Sequence, residues 1–379
     1  MGDILQTIEA KVAAGERLSR EDGLALFEPR HLLAVGAMAD RVRRRKHGLR
    51  TWYVANTHVN FTNRCENRCD LCAFWAAAGD ARGYLLGADE VVERARPDVV
   101  AGVTEIHLVG GLHPDIGLDY YADLLGRLHE AFPRVCLQAF TAVEVHYAAQ
   151  KAGLSTAEVL ARLKAAGLAG LPGGGAEIFD PEVRRRVAPR KIGGQEWLAI
   201  HREAHRLGIP TNATMLYGHV ESPAHRVDHL LALRRLQDET GGFAAFIPLP
   251  FHPEGTHLAD LPGPTAVDDL ATMAASRLLL DNVPHVKAFW IMLTPDLAQV
   301  ALRFGADDID GTVIREEITH AAGAQTPQGL TTADLVSLIR GAGGEPAERD
   351  TLYRAIVRGP RPAEWRRSST CCDSLPSSS

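Results

Sequence analysis

Strand-like and helix-like segments alternate along this chain, and that alternation limits its folds more than any other feature. Eight segments read as strands: Tyr53 to Phe61, Thr104 to Val109, Val135 to Phe140, Ala176 to Phe179, Pro210 to Tyr217, Phe243 to Leu249, Val286 to Leu293 and Ala306 to Val313. Between them, Ala88 to Ala101, Tyr120 to Ala131, Thr156 to Ala166, Gln195 to Leu207, Ala224 to Glu239 and Val267 to Asp281 repeat apolar residues at helical spacing. The pattern predicts a parallel sheet with helices outside it. Eight alternations predict an α/β chain folded as a (β/α)8 TIM-type barrel; if two weak strands drop out, an open six-stranded variant remains. The 379 residues fit one such barrel with extensions. Residues 1–50 read as an N-terminal helical extension against the barrel's bottom or side. Residues 51–360 read as the barrel domain with C-terminal helices, and 361–379 as a disordered tail because Ser368 to Ser379 is serine-rich. No repeat of fixed period is visible.

Six cysteines are present, and three of them crowd into Cys65-Glu66-Asn67-Arg68-Cys69-Asp70-Leu71-Cys72, directly after the first strand-like segment. Clustered thiols in a chain this long read as metal ligands in a reducing compartment, not as a disulfide framework. A structural zinc site closes its tetrahedron with four Cys or His, and an electron-transfer 4Fe-4S cluster takes four cysteines. Three ligands leave one position open, which is what a metal centre needs if a small molecule is to react on it. Loops at the C-terminal ends of barrel strands carry chemistry, so the cysteine loop belongs at the barrel mouth. Cys136, inside Val135-Cys136-Leu137, reads as core, and Cys371 and Cys372 carry no assigned role. The net charge of −6 argues against nonspecific nucleic-acid binding, whose phosphates require a basic surface. The basic runs Arg43 to Lys46 and Arg184 to Arg186 read as solvated helix faces. The first residues lack a charged region followed by an apolar one, and no apolar stretch is long enough to span a bilayer. The expected location is the cytoplasm, with no membrane partner.

Several further stretches can be placed on the barrel. Gly110 and Gly111 follow the second strand, where paired glycines let backbone approach a ligand that a Cβ would block. Gly173-Gly174-Gly175-Ala176-Glu177 joins a crowded backbone to one carboxylate aimed at the interior, suited to hydrogen bonds from ribose hydroxyls; an ion pair with the following arginines is the structural alternative. In Asn212 to Glu221, polar Asn212 and Thr214 alternate with apolar neighbours, so one set faces the lumen. His201 and His205 lack the Glu of a metalloprotease helix and read as surface histidines. Asp307-Asp308-x-Asp310 lacks the spacing of a calcium loop and reads as a substrate or supporting site, or a capped turn.

The CxxxCxxC spacing, Asn60-Phe61-Thr62-Asn63 before it, Gly-Gly-x-His-Pro-Asp at 110–115, Gly-Gly-Gly-Ala-Glu-Ile at 173–178 and Gln237 to Phe243 together resemble one subgroup of the radical S-adenosylmethionine (SAM) enzymes. That subgroup holds aminofutalosine synthase, dehypoxanthine futalosine cyclase and the deazaflavin (F0) synthase components. His107 to Asp115, Asn212 to Glu221 and Phe304 to Val313, with its Asp-Gly-Thr-Val ending, resemble the synthase best. The resemblance runs from about Val54 to Gly323. It implies a 4Fe-4S cluster on Cys65, Cys69 and Cys72, with the open iron for SAM, and a SAM site including Gly110, Gly111, Glu177, Gly218 and Glu221. Leu71 stands where many such loops carry an aromatic residue. The implied reaction adds the 5′-deoxyadenosyl radical of SAM to 3-[(1-carboxyvinyl)oxy]benzoate, an aryl enol ether derived from chorismate. Rearrangement and decarboxylation then give 6-amino-6-deoxyfutalosine on the futalosine route to menaquinone. SAM is consumed as a co-substrate. The resemblance also implies an external one-electron reductant such as flavodoxin or ferredoxin, and cationic or hydrogen-bonding partners for the substrate carboxylates. His219, His252, Arg277 and Lys287 are the candidates. The rival readings are the cyclase or deazaflavin reaction, and a nonenzymatic iron-sulfur or zinc protein completed by a residue such as His58.

Overall fold

The computed structural model describes residues 3–358; the predicted tail with Cys371 and Cys372 lies outside the described residues. Among the described residues ten strands are present: β1 Arg50–Val54, β2 Asn56–Val59, β3 Glu105–Leu108, β4 Cys136–Ala139, β5 Leu168–Gly170, β6 Thr211–Tyr217, β7 Phe243–Pro250, β8 His285–Val286, β9 Asp308–Gly311 and β10 Glu345–Arg349. They pair in parallel in the orders β2-β3-β4-β5, β6-β7-β8 and β10-β1-β9. Parallel bridges Leu171–Thr211, Lys287–Asp308 and Thr57–Ile314 join the three sets into one ring. The first strand-like segment is broken at Ala55, so that β1 pairs with β9 and β10 while β2 pairs with β3. Counted as one strand, β1 and β2 complete an eight-position barrel, as the alternation predicts. The weakest positions, β5 and β8, span three and two residues yet keep their places in the ring, so the barrel is not the open six-stranded variant.

Four expectations need correction. The fourth strand is Leu168–Gly170, not Ala176 to Phe179. Ala-Glu-Ile-Phe has strand composition, but the preceding glycines fold it into a packed loop. A Cβ at Gly173 would lie 2.7 Å from the Asn212 carbonyl and 2.8 Å from Ala213 C, on a backbone that cannot give way. The seventh strand stops at Val286; Trp290–Leu293 is one helical turn, pinned where the Trp290 indole N–H donates to the Gly311 carbonyl at 2.7 Å. His201 is fully buried, stacked on Trp197 at 3.6 Å, with its Nδ1 2.8 Å from the Thr211 hydroxyl. Arg184 is also buried, donating to the carbonyls of Ala176, Ile178 and Ile192, which leaves Arg185 and Arg186 as the solvated part of that run. Likewise Arg43 is buried and donates to the carbonyl of Gly48.

Helices cover the outside. The Leu32–His47 helix buries Val35, Met38, Ala39 and Val42, one stripe at i, i+3, i+4 and i+7, and packs against the Ala266–Leu279 helix. Beneath them lies a buried ion pair that ties β8 to β9 at the barrel's N-terminal end. Arg277 donates to the carbonyls of Gly305 at 2.8 Å and Pro284 at 3.1 Å, and pairs with Asp307. Asp307 also accepts from Val286 N–H at 2.9 Å and lies 2.6 Å from His285 Nδ1. Burial alone raises a carboxyl pKa, but Arg277 and His285 outweigh it here and hold Asp307 well below the usual range. Arg277 is therefore a structural cation, not the substrate group its sequence position suggests. No helix among the described residues is long and apolar enough to cross a membrane.

Arg277→Met should leave the Asp307 carboxylate buried without its main partner and cost about 3–5 kcal/mol. The check is the urea midpoint at unchanged m value; a loss under about 1 kcal/mol would contradict the assignment.

Candidate active site

One cavity of about 360 Å³ opens at the C-terminal ends of the strands, and Cys65, Cys69 and Cys72 all line it. The polar run before the cysteines shapes their loop. Asn60 Nδ2 donates to Val109 O at 3.0 Å, the Thr62 hydroxyl to Tyr84 O at 2.5 Å, and Asn63 Nδ2 to Arg82 O at 3.0 Å. Past this clamp, Cys65 N–H donates to Ala76 O at 3.3 Å and Cys72 N–H to Cys69 O at 3.1 Å, with Arg68 between them at a left-handed φ of 45°. Burial raises the Cys69 thiol to about 11 and raises Cys72 as well, against the opposing charge of Lys191. Both are neutral thiols at neutral pH, and metal binding must displace their protons.

The donor set fits a multinuclear cluster better than one ion. A tetrahedral zinc with bonds of about 2.3 Å brings its sulfurs within about 3.8 Å of one another. Among the described residues the group whose ligand atoms lie within 4.8 Å of each other is His47, His285 and Asp307, not the cysteines. That histidine group is itself no open site. Asp307 is held by Arg277, and His47 Nε2 lies 2.9 Å from Pro284 O. Three spaced thiolates match the ligand type of an iron-sulfur cluster with one iron left unligated by protein.

Gly110 and Gly111 line the same cavity, but their packing is internal. A Cβ on Gly111 would overlap the Arg64 carbonyl and approach Cys65 Cβ to 2.9 Å; one on Gly110 would meet the Phe61 ring at 2.8 Å. The pair thus seats the cysteine loop on the β3 turn. Gly110 N–H donates to Glu144 at 3.1 Å, and burial pushes this carboxyl up to about 7 despite that bond and another from Thr141 N–H. Glu177 also lines the cavity, at a left-handed φ of 46°, and accepts from Lys191 Nζ at 2.5 Å. Burial raises its pKa, but Lys191 more than offsets this and keeps the carboxylate ionised. Its ion-pair partner is this lysine, not one of the following arginines that the structural alternative named.

Gly218 and Glu221 do not line the cavity. Glu221 accepts from Gly218 N–H at 2.7 Å and His219 N–H at 3.0 Å and pairs with Arg226 and His219, which uses up its carboxylate. His219, buried in that network, is likewise off the cavity. His252 and Lys287 do line it; Lys287 Nζ is 3.6 Å from Asp310 Oδ2. Arg277 does not.

Toward the barrel floor, Asn56, His58, Glu105, His107, Asn212 and Thr214 line the wall. His58 and His107 stack at 4.4 Å, and burial depresses both pKa values, leaving neutral imidazoles. Of these, Asn212 and Thr214 were legible from the alternation on β6. Asn56/His58 and Glu105/His107 carry the same period-two signal on β2 and β3 and could have been found by it. Lys191 carries no such signal and reaches the cavity from the loop after the Pro181–Val187 helix, whereas Glu144 comes from the first turn of the Ala142–Ala152 helix and Asp310 from β9.

Gly111→Ala should cost about 1–3 kcal/mol at the seat of the cysteine loop and lower iron loading roughly tenfold. The check is iron and sulfide content after anaerobic reconstitution; wild-type content would contradict the packing role.

Residues 59–233 match the Radical SAM superfamily, and residues 240–359 match the CofH/MqnC C-terminal region. The chain is 50% identical over 353 residues to the aminodeoxyfutalosine synthase of Thermus thermophilus, covering 92% of this chain and 95% of that protein. It is 45% identical to the aminodeoxyfutalosine synthase of Streptomyces coelicolor, over 96% of each chain. The cyclic dehypoxanthine futalosine synthase of S. coelicolor is 37% identical, over 95% of this chain and 90% of that one. The fold is similar to that of methylornithine synthase, with a TM-score of 0.73 and 18% identity over 90% of this chain and 97% of that one.

Proposed function

The chain belongs to the radical SAM superfamily and to its group of aminodeoxyfutalosine synthases, and from that membership we propose the reaction and the residues that serve it. It is an enzyme, a transferase of menaquinone biosynthesis by the futalosine route. It joins the 5′-deoxyadenosyl group of SAM to 3-[(1-carboxyvinyl)oxy]benzoate, with loss of a carboxyl group, giving 6-amino-6-deoxyfutalosine. The observation that carries this reading is one cavity with three thiols at its mouth and a buried cation, Lys287, on its wall. When bound, the 4Fe-4S cluster supplies the electron that cleaves SAM. Cys65, Cys69 and Cys72 hold that cluster.

The chain's own residues do the rest. Among the described residues, Lys191 and Lys287 are the two lysines lining the cavity, and no arginine lines it. Lys191 stands between Glu177 and the cysteine loop, suited to a carboxylate near the cluster. Glu177 keeps a second oxygen for ribose hydroxyls. Lys287, paired at 3.6 Å with Asp310, is free to turn one or two ammonium protons to a substrate carboxylate. His252 is available as a further hydrogen-bonding group, and its Nε2 lies 3.0 Å from Met292 O. Phe74, Trp75, Phe251, Phe289 and Met292 provide apolar walls that exclude water from reactive species. Asp310 belongs to the Asp-Gly-Thr-Val segment that favours the synthase over the cyclase, and it faces the cavity. The reading carries with it a cytoplasmic location.

Two outcomes test the reading. Mass spectrometry after anaerobic incubation of reconstituted protein with dithionite, SAM and the enol ether should find an adenosyl adduct lacking one carboxyl group; free 5′-deoxyadenosine alone would instead favour the cyclase reaction. Lys287→Met should raise the KM for the enol ether roughly tenfold or more, the loss of a hydrogen bond to a charged group, while SAM affinity stays as in wild type. An unchanged KM would remove Lys287 from the substrate site.

A further inference from the structure

His58 and His107 are register partners on β2 and β3, and Gln138 on β4 is the register partner of His107. All three line the cavity, and the Gln138 side chain is hydrogen-bonded to the His107 ring. The level beneath them is closed. Asn56 and Glu105, partners in the same register, meet at 3.2 Å, and Glu105 accepts from the Thr351 hydroxyl at 2.7 Å. The upper level is open. His58 stacks on His107 at 4.4 Å, yet its nitrogens have no hydrogen-bond partner among the described residues. Lys287 is only 3% exposed, and its Nζ makes no hydrogen bond among the described residues, since Asp310 Oδ2 stands 3.6 Å away. A buried ammonium with unmade donors is costly unless something arrives to accept them. Burial depresses both imidazoles, and the charge of Lys287 adds to the effect on each, so the three share one neighbourhood.

We propose that His58, His107 and Gln138, together with Lys287, seat the benzoate carboxylate of the enol ether and so determine which aryl group the enzyme accepts. The proposal rests on the synthase reading above. A carboxylate only accepts hydrogen bonds, and this set supplies donors: three protons on the ammonium, one N–H on each neutral imidazole and two on the amide. The two substrate carboxylates cannot exchange places. The vinyl carbon must meet the 5′ carbon of SAM near the thiols, and the enol carboxylate is attached beside that carbon, so it stays toward the mouth. The benzoate carboxylate lies at the far side of the ring and points to the floor, where the open level stands. It is also the one that the product keeps, so a firm charge-assisted hold on it costs the reaction nothing. Asp310 balances Lys287 without reaching hydrogen-bond distance, and burial raises its pKa against the pull of Lys287, which eases the approach of a second carboxylate.

The test is the double variant H58L/H107L, with His107→Gln as the variant that keeps a donor, each as the reconstituted full chain with wild-type iron content. Two probes are compared: 3-[(1-carboxyvinyl)oxy]benzoate and 2-phenoxyacrylate, which lacks only the ring carboxylate. Two quantities are read: kcat/KM for adenosyl adduct formation, and calorimetric affinity of the unreduced protein for each probe in the presence of SAM. Wild type should prefer the benzoate by roughly a hundredfold or more, because the analogue leaves buried donors unpaired. In H58L/H107L that preference should shrink by roughly tenfold or more, through loss on the benzoate alone, with affinity falling in parallel and 2-phenoxyacrylate handled within about twofold of wild type. His107→Gln should keep most of the preference. Equal loss on both probes would make the pair structural and overturn the proposal, and an unchanged preference in H58L/H107L would seat the ring carboxylate elsewhere and overturn it too. If wild-type protein cleaves SAM but forms no adduct from the benzoate, the synthase reading itself is at fault, and the proposal falls with it.

Discussion

The rest of this structure depends on the seam where the last barrel strand meets the first. Asn56 N–H donates to the Thr312 hydroxyl at 2.9 Å, that hydroxyl donates to Asn56 O at 2.6 Å, and Val313 N–H donates to Asn56 Oδ1 at 2.8 Å. Thr312 N–H reaches Val54 O at 3.0 Å, and Asn56 Nδ2 reaches Glu105 at 3.2 Å, on the next strand round. All these groups are buried, so each bond left unmade would cost the desolvation of its partner. Gly311 is obligatory here because a Cβ would overlap the Asn56 side chain and the Val54 carbonyl. A ring closed this tightly converts eight strands into one wall around a common space.

That wall has an unusual charge content for a barrel interior. Glu177 and Lys191 lie by the thiols, Lys287 and Asp310 elsewhere on the lining, and Arg349 with Asp308 completes a buried pair behind it. Buried ion pairs seldom add net stability, since desolvation cancels most of the Coulomb gain. Their worth here is positional. Each fixes a charged group in a low-dielectric cavity before any ligand arrives, so little reorganisation is left for the reaction itself. The neutral His58–His107 stack shows the opposite outcome of the same burial: without a carboxylate in contact, an imidazole gives up its proton.

Glycines, not catalytic groups, explain most of the fit between sequence motif and site. Gly111 seats the cysteine loop, Gly173 lets the loop after β5 press on β6, and Gly311 closes the ring. The motif residues flanking the cysteines, Asn60, Thr62 and Asn63, spend their side chains on backbone carbonyls. Much of what makes the family recognisable is therefore the scaffold that presents three thiols, with the thiols themselves a small part of the pattern.

The sequence by itself determined the barrel and the thiol cluster. Periodicity and cysteine spacing are local properties, readable over a few residues, and they were enough to place Cys65, Cys69 and Cys72 at a barrel mouth. It also pointed to His252, Lys287 and Glu177, each on or beside a segment whose end faces the cavity. It misplaced the fourth strand, gave Arg277 and His219 to the substrate, and missed Lys191 as the partner of Glu177. Those outcomes were decided by the tertiary structure alone. Whether a charged side chain meets solvent, a ligand or another buried charge depends on residues far away in the chain. Arg277 met Asp307, thirty positions on, and His219 and Arg226 absorbed Glu221 before it could reach the cavity.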